Sequence, residues 1–466
     1  MGASVGIETF RKDFAGQLLT AGDADYDQAR SVWNGDIDRR PAAIAQCSSA
    51  AQVAAAIGFA RDAGLELTVR GGGHNFGGLA VSDGGLMVDL SPMGDVTIDA
   101  AARRARVAGG ATWASLDGAA QAHGLAVTGG FISHTGVGGL TLGGGFGWLT
   151  RKLGTSCDNV VSAEVVTADG RVLRASDQEN PDLFWAIRGG GGNFGVVTSL
   201  DFQLHEVGPL VNLALFFFDV DRGGDALRFA RDYAKTAPDS VAPFIGGMSA
   251  PPAPFVPEQF QLMPGYGVLV VGWGSPEEHA AAIAPIREAV TPTFEFVTPI
   301  PYVELQKMFD EGNPWGILAY EKALYLDDMS DGAIDVFTEY LPQKASPMSF
   351  CPVFPLGGKY AEIDDDATAF GGSRNAGYIF NMAAICPTPE LFEADRAWVR
   401  RFYDALLPHA SGAGSYVNFI NDDVEARVRA SYGDAKYERL ARIKADYDPD
   451  NVFRHNVNIK PAGVSA

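Results

Sequence analysis

Positive charge, cysteine and long apolar runs are all scarce in this chain, and each shortage removes a class of protein. Its 36 Lys and Arg stand against 57 Asp and Glu, a formal net charge of −21. That balance repels phosphate backbones, and no basic, aromatic-studded stripe offsets it, so no nucleic-acid partner is expected. Four cysteines (Cys47, Cys157, Cys351 and Cys386) form no C-x-x-C pair and are too few for a disulfide framework in 466 residues. No apolar stretch reaches the roughly 20 residues that a membrane-spanning helix needs. Residues 1–6 carry neither a basic segment leading into an apolar one nor a lipidation signal, so the expectation is a cytoplasmic protein with no membrane partner. The G-x-x-x-x-G-K-[ST] loop of nucleotide triphosphatases is missing, and no metal site is expected.

What remains is the composition of a soluble globular enzyme, 47% hydrophobic and 20% charged. A single core rarely serves a chain this long, so two domains are expected. The first part alternates helices and strands. Ser48 or Ser49 caps an alanine-rich helix over 50–63, which Gly64 stops, and a strand over 65–69 follows. A further strand covers 86–90, and Thr112 caps a helix ending near His123. Strands 160–166 and 171–173 form a hairpin across Asp169 and Gly170. After His205 the pattern changes to apolar strands such as 213–218 and 268–273, with most of the prolines in the loops. The expected class is α+β. Residues 1–206 form one domain, 207–425 an antiparallel sheet backed by helices, and 426–466 a segment returning to the first domain.

Glycine is where the chain concentrates its information. Four clusters crowd a short stretch: Gly71, Gly72 and Gly73; Gly129 and Gly130 with Gly136, Gly138 and Gly139; Gly143, Gly144, Gly145 and Gly147; and Gly189 to Gly195. Bared backbone N–H groups form concavities for anions such as a pyrophosphate. The last cluster spells G-x-G-x-x-G at Gly190, Gly192 and Gly195, yet a helix over 181–187 precedes it and a strand over 196–200 follows. A dinucleotide fingerprint requires the opposite order, so that reading is rejected. The first cluster ends in His74, and a later loop carries Cys157: one imidazole and one thiol suited to gripping a cofactor covalently from two sides.

Three segments carry a resemblance: Arg70-Gly71-Gly72-Gly73-His74-Asn75, residues 138–147, and Cys157-Asp158-Asn159. The chain resembles the berberine-bridge-enzyme-like FAD-linked oxidases, with the FAD-binding fold of the vanillyl-alcohol-oxidase superfamily. The likeness runs from Trp33-Asn34-Gly35 to the C-terminal segment over 448–456. It is strongest towards bacterial members of similar length, the 6-hydroxy-nicotine oxidases and the oxidases that tailor polyketides and other antibiotics. The resemblance implies FAD joined through a ring nitrogen of His74 to the flavin 8α-methyl carbon and through the sulfur of Cys157 to C6. It implies further cofactor contacts from Arg70, Gly71, Gly72, Gly73, Asn75, Gly77 and Gly78, from Thr135, Gly138, Gly139, Leu142, Gly144, Gly145 and Gly147, and from Val197 and Asn456. His134 and His455 are expected to be hydrogen-bonding loop residues, and His123 a structural one.

On the substrate side the resemblance implies a base, the second tyrosine of a Tyr-x-Asn-Tyr segment in sugar-oxidising relatives. Here the segment reads Tyr416-Val417-Asn418-Phe419, and a phenyl ring takes no proton. Tyr416 and Asn418 remain candidate site residues. Replacement bases are Tyr378, Tyr302, Glu304 and Tyr360. Val160, three residues after Cys157, implies a path for dioxygen to the flavin. The expected reaction is hydride transfer from a substrate C–H to flavin N5, with dioxygen as acceptor and hydrogen peroxide as product. The expected substrate is a secondary metabolite or cyclic amine, and the expected assembly a monomer or homodimer. The rivals are an oligosaccharide oxidase of the same fold and a flavoprotein that only binds a ligand.

Overall fold

In the computed structural model, which describes residues 2–375, 377–420 and 425–463, three large sheets carry the fold, beside a two-stranded one that pairs Leu125–Ala126 with His205–Glu206. Ser49 caps the helix Ala50–Ala63 by accepting from the Gln52 N–H, and Gly64 ends it with φ of 64°. The chain then enters the strand Leu67–Arg70, at the edge of a four-stranded sheet where it runs parallel to Leu86–Asp89 and, beyond that, Ala43–Gln46. Parallel strands need cover on both faces, and Leu86–Asp89 is buried at every position. The first glycine loop leaves from the C-terminal end of Leu67–Arg70, the end at which open α/β sheets hold ligands.

A five-stranded antiparallel sheet follows in the order Val96–Asp99, Arg104–Ala108, Val196–Gln203, Val160–Val166, Val172–Ser176. The hairpin pairs Val166 with Val172. The helix Pro181–Ile187 comes before the fourth glycine cluster and the strand Val196–Gln203 after it, so this G-x-G-x-x-G does not open a helix. Thr112 precedes the helix Trp113–Gln121 without capping it, its hydroxyl lying 3.2 Å from that of Ser115.

The third sheet has seven antiparallel strands in the order Phe294–Pro301, Leu210–Asp219, Pro264–Gly272, Val241–Ser249, Cys351–Leu356, Gly377–Cys386, Leu318–Leu326. The helices Gly223–Thr236, Asp331–Tyr340 and Pro389–Leu406 cover one face. Strand side chains alternate between faces, so Phe216, Phe218, Phe380 and Met382 pack under these helices. Leu215, Phe217 and Ile379 point the other way, into the core shared with the glycine-rich half.

The last segment crosses back to that half. Helices Glu425–Tyr432 and Asp434–Tyr447 lie against it, with the Tyr432 hydroxyl donating to the Gly189 carbonyl at 3.1 Å. The buried Lys444 ammonium donates to the carbonyls of Asn193 and Phe453, each at 2.8 Å, and pairs with Asp448 at 2.9 Å. A buried ion pair is tolerable only when its remaining valences are filled, and Asp448 fills its own by accepting the N–H groups of Val452 and Phe453. The expected boundary near 425 adjoins residues 421–424, which lie outside the described residues. No helix among the described residues is long and apolar enough to cross a membrane.

Candidate active site

A cavity of about 380 Å³ runs between the glycine-rich half and the open face of the seven-stranded sheet. Backbone builds one of its walls. Gly71, Gly72, Gly73, His74 and Asn75 line it from the first loop, and Thr135, Gly136, Gly138, Gly139 and Leu142 from the second. The two loops meet main chain to main chain, since a Cβ on Gly72 would lie 2.2 Å from the Gly136 nitrogen. Gly73, at φ 67°, turns the chain into His74 through a conformation that favours glycine. Val197 and, from the C-terminal segment, His455 and Asn456 complete the wall. His455 Nε2 and Asn456 Oδ1 are buried there without a hydrogen-bond partner, which marks a surface made for a polar ligand.

His74 is held on three sides. Its ring stacks on Trp33, with centroids 5.3 Å apart, and meets the edge of Trp315 at 5.9 Å. Its Nε2 lies 2.7 Å from His134 Nδ1. Burial, and then the neighbouring His134 ring, push its pKa down to about 3, so the imidazole is neutral and keeps a lone pair for bonding. His134 is the hydrogen-bonding residue expected, with His74 as its partner.

Cys157 is placed differently from the expectation. It is fully buried and does not line the cavity. Its N–H donates to the Gly144 carbonyl at 2.8 Å, and its sulfur rests 3.3 Å from the Thr155 hydroxyl. A capping box between Thr155 and Asp158 fixes that turn, and Arg374 clamps Asp158 with two bonds of 2.9 and 2.7 Å. Burial first, then the Asp158 charge, push the thiol up to about 12, far from the thiolate that bonds to carbon. Of the two residues expected to grip the cofactor, His74 lines the cavity and Cys157 lies behind its wall.

Several other expected contacts also lie off the cavity lining. Val160 opens the strand Val160–Val166, buried opposite Phe202 and away from the cavity. Arg70 turns back to brace its loop, bonding Asp89 at 2.9 and 2.7 Å. Gly77 and Gly78 close a turn on Asn75. Gly144, Gly145 and Gly147 sit behind the wall, Gly145 donating its N–H to the Tyr416 hydroxyl at 2.8 Å.

Side chains build the opposite wall. Phe131, Phe244, Phe309, Phe350, Phe354 and Phe419 line it, with centroids 5.0 Å apart for Phe131 and Phe354 and 5.5 Å for Phe244 and Phe354. Tyr416 and Asn418 face the cavity beside them, the Asn418 amide donating to the Tyr416 hydroxyl at 2.7 Å. None of the four proposed bases is there. Tyr378 points under the helices and donates to the Arg231 carbonyl at 3.1 Å. Tyr360 donates to the Ser373 carbonyl at 2.6 Å, Tyr302 is buried near Asp117, and Glu304 is exposed beside Lys307. A second polar pair lining the cavity is Glu321 and Asn381, which the sequence reading missed. Asn381 donates to Glu321 at 2.7 Å, both are buried, and burial pushes the Glu321 carboxyl up to about 8. The available signal was a glutamate between Ala319 and Ala323 in an alternating strand, an acid at an inward position.

Comparison with known proteins agrees with this architecture. Residues 41–176 match the FAD binding domain family, and residues 415–460 match the berberine and berberine-like family. The chain belongs to the berberine-bridge-enzyme-like FAD-linked oxidases and is an FAD-dependent oxidoreductase. It is 32% identical to (R)-6-hydroxynicotine oxidase of Paenarthrobacter nicotinovorans, over 96% of this chain and 97% of that one. The crystal structure of 6-hydroxy-D-nicotine oxidase from Arthrobacter nicotinovorans superposes with a TM-score of 0.85 at 29% identity, covering 96% of this chain and 98% of that one. Glucooligosaccharide oxidase from Acremonium strictum, described with a 6-S-cysteinyl, 8α-N1-histidyl FAD, shares the fold with a TM-score of 0.85 at 23% identity, covering 98% of this chain and all of that one.

Proposed function

We propose that this oxidase holds its flavin by a single covalent tether, at His74, and oxidises a cyclic amine or aromatic secondary metabolite with release of hydrogen peroxide. The observation that carries this reading is the continuity of the cavity. It passes from the glycine loops, past the lone pair of a neutral His74, to a phenylalanine wall that holds one carboxyl. FAD, when bound, supplies a two-electron acceptor for the substrate's hydride and a route for those electrons to dioxygen. The residues present fit that group: the close-packed glycines leave backbone N–H groups for phosphates, and His455 and Asn456 offer polar atoms that are otherwise unsatisfied.

The chain's own residues divide the remaining work. The six phenylalanines exclude water and favour a flat apolar body. Asn381 holds Glu321 in place, and Glu321 replaces the missing tyrosine as proton acceptor. Because its carboxyl keeps its proton up to about pH 8, its accepting form grows as pH rises through that value. Sugar rings need walls rich in hydrogen-bond partners, so this phenylalanine wall speaks against the oligosaccharide alternative. The test is anaerobic mixing with cyclic amines, aromatic polyketides and oligosaccharides. Bleaching of the yellow colour by the first two, with peroxide on admitting air, is expected. Bleaching by oligosaccharides alone would overturn the substrate class, and a colour unmoved by every compound would favour a ligand-binding flavoprotein.

A further inference from the structure

The imidazole that touches His74 meets it nitrogen to nitrogen. His74 Nε2 and His134 Nδ1 stand 2.7 Å apart, with ring centroids at 4.7 Å, and a single proton lies between the two nitrogens. With Nε2 engaged by His134, Nδ1 is the His74 nitrogen left to bond carbon. Alkylation at Nδ1 leaves the His74 ring neutral only when its Nε2 proton departs, and the group placed to take that proton is His134 Nδ1.

The surroundings hold this chain of bonds in register. Trp33, whose indole N–H donates to the Asn313 carbonyl at 2.9 Å, stacks on His74. Beside His134, Asp310 accepts the N–H and hydroxyl of Ser133 at 2.8 and 2.5 Å, and its charge favours a protonated His134.

We propose that His134 is a positioning residue for flavin attachment: it fixes His74 in the Nε2–H form, presents Nδ1 as the nucleophile, and receives the Nε2 proton as the bond forms. This rests on the proposed His74 tether. In that step an N–C bond forms between His74 Nδ1 and the flavin 8α carbon, while one C–H bond at that carbon and the His74 Nε2–H bond break. The two electrons released go to dioxygen, the oxidant of the proposed activity, which takes up the two protons and becomes hydrogen peroxide.

The experiment follows acid-stable flavin per chain over time, by absorbance after acid precipitation and by intact mass, in the full-length chain supplied with FAD. Reversible FAD binding is measured alongside. For His134→Ala, attachment is expected to slow by roughly 10²-fold while reversible binding persists, and added imidazole is expected to restore it. His134→Gln, whose amide oxygen can accept from Nε2–H, is expected to attach flavin faster than His134→Leu, and this pair decides the matter if the alanine variant does not fold. Attachment at the wild-type rate in His134→Ala and His134→Leu would overturn the inference. So would a loss that neither imidazole nor glutamine relieves, which would make His134 merely structural. A wild-type chain without acid-stable flavin would instead overturn the tether itself.

Discussion

The two walls of the cavity are built by opposite means. On one side the surface is main chain, and at Gly72 a single added carbon would meet the Gly136 nitrogen at 2.2 Å. On the other side it is side chain, six phenylalanine rings around a buried Glu321 and Asn381. A wall of backbone is set by where the chain can pass, so it holds one shape for one cofactor. A wall of rings is set by volume and can be repacked for another substrate without moving a strand.

The sharpest way to break this comparison is to change one residue in each wall. His74→Ala should abolish acid-stable flavin completely, read by colour on a denaturing gel and by intact mass; any covalent flavin left would mean a second tether. Glu321→Gln should leave the flavin attached and lower kcat/KM by about 10²–10⁴-fold. It should also remove a limb of the pH profile. A carboxyl raised to about 8 is mostly protonated at neutrality, so wild-type activity should climb as pH rises through that value, and the glutamine variant should not climb. An identical alkaline rise in both would place the proton acceptor elsewhere.

That contrast also decides how much could be read from sequence. The glycine wall was legible because backbone contact demands glycine, and a residue type confined to one geometry announces it. His74 was legible with it, and so was the reversed order around the fourth cluster. The phenylalanine wall was not legible, because which residues face inward depends on strand register. Tyr378 and Asn381 share the strand Gly377–Cys386 but stand three residues apart, so the two-residue period sends them to opposite faces. Tyr378 went under the helices and Asn381 into the cavity. Likewise, six phenylalanines scattered from 131 to 419 meet only through long-range pairing.

A third change sharpens the comparison by asking whether the backbone wall depends on the returning segment. Lys444→Met leaves Asp448 charged and buried with its ammonium partner gone, and frees the carbonyls of Asn193 and Phe453. The expected loss is about 3–5 kcal/mol of stability, seen as a lowered denaturant midpoint. Flavin affinity should fall with it, since Asn193 lines the cavity and His455 and Asn456 follow closely after Phe453. Unchanged stability would mean that the pair contributes no net support.

The smallest effect belongs to Cys157, and its smallness is the point. The thiol lies close in sequence to glycine loops that line the cavity, and that proximity made it look like a second tether. Its turn, however, is closed by Thr155 and Asp158 and pinned from the other side by Arg374. The sulfur consequently points to the Thr155 hydroxyl. Bonding to the flavin would require the loop to open and a thiol raised to about 12 to ionise, both inside the core. Cys157→Ala should therefore remove only a packed sulfur, costing about 1 kcal/mol, with acid-stable flavin at the wild-type level. Release of flavin on denaturing this variant, or partial release that becomes complete only when His74→Ala is added, would restore the second bond and require the loop to adopt another conformation once FAD is in place.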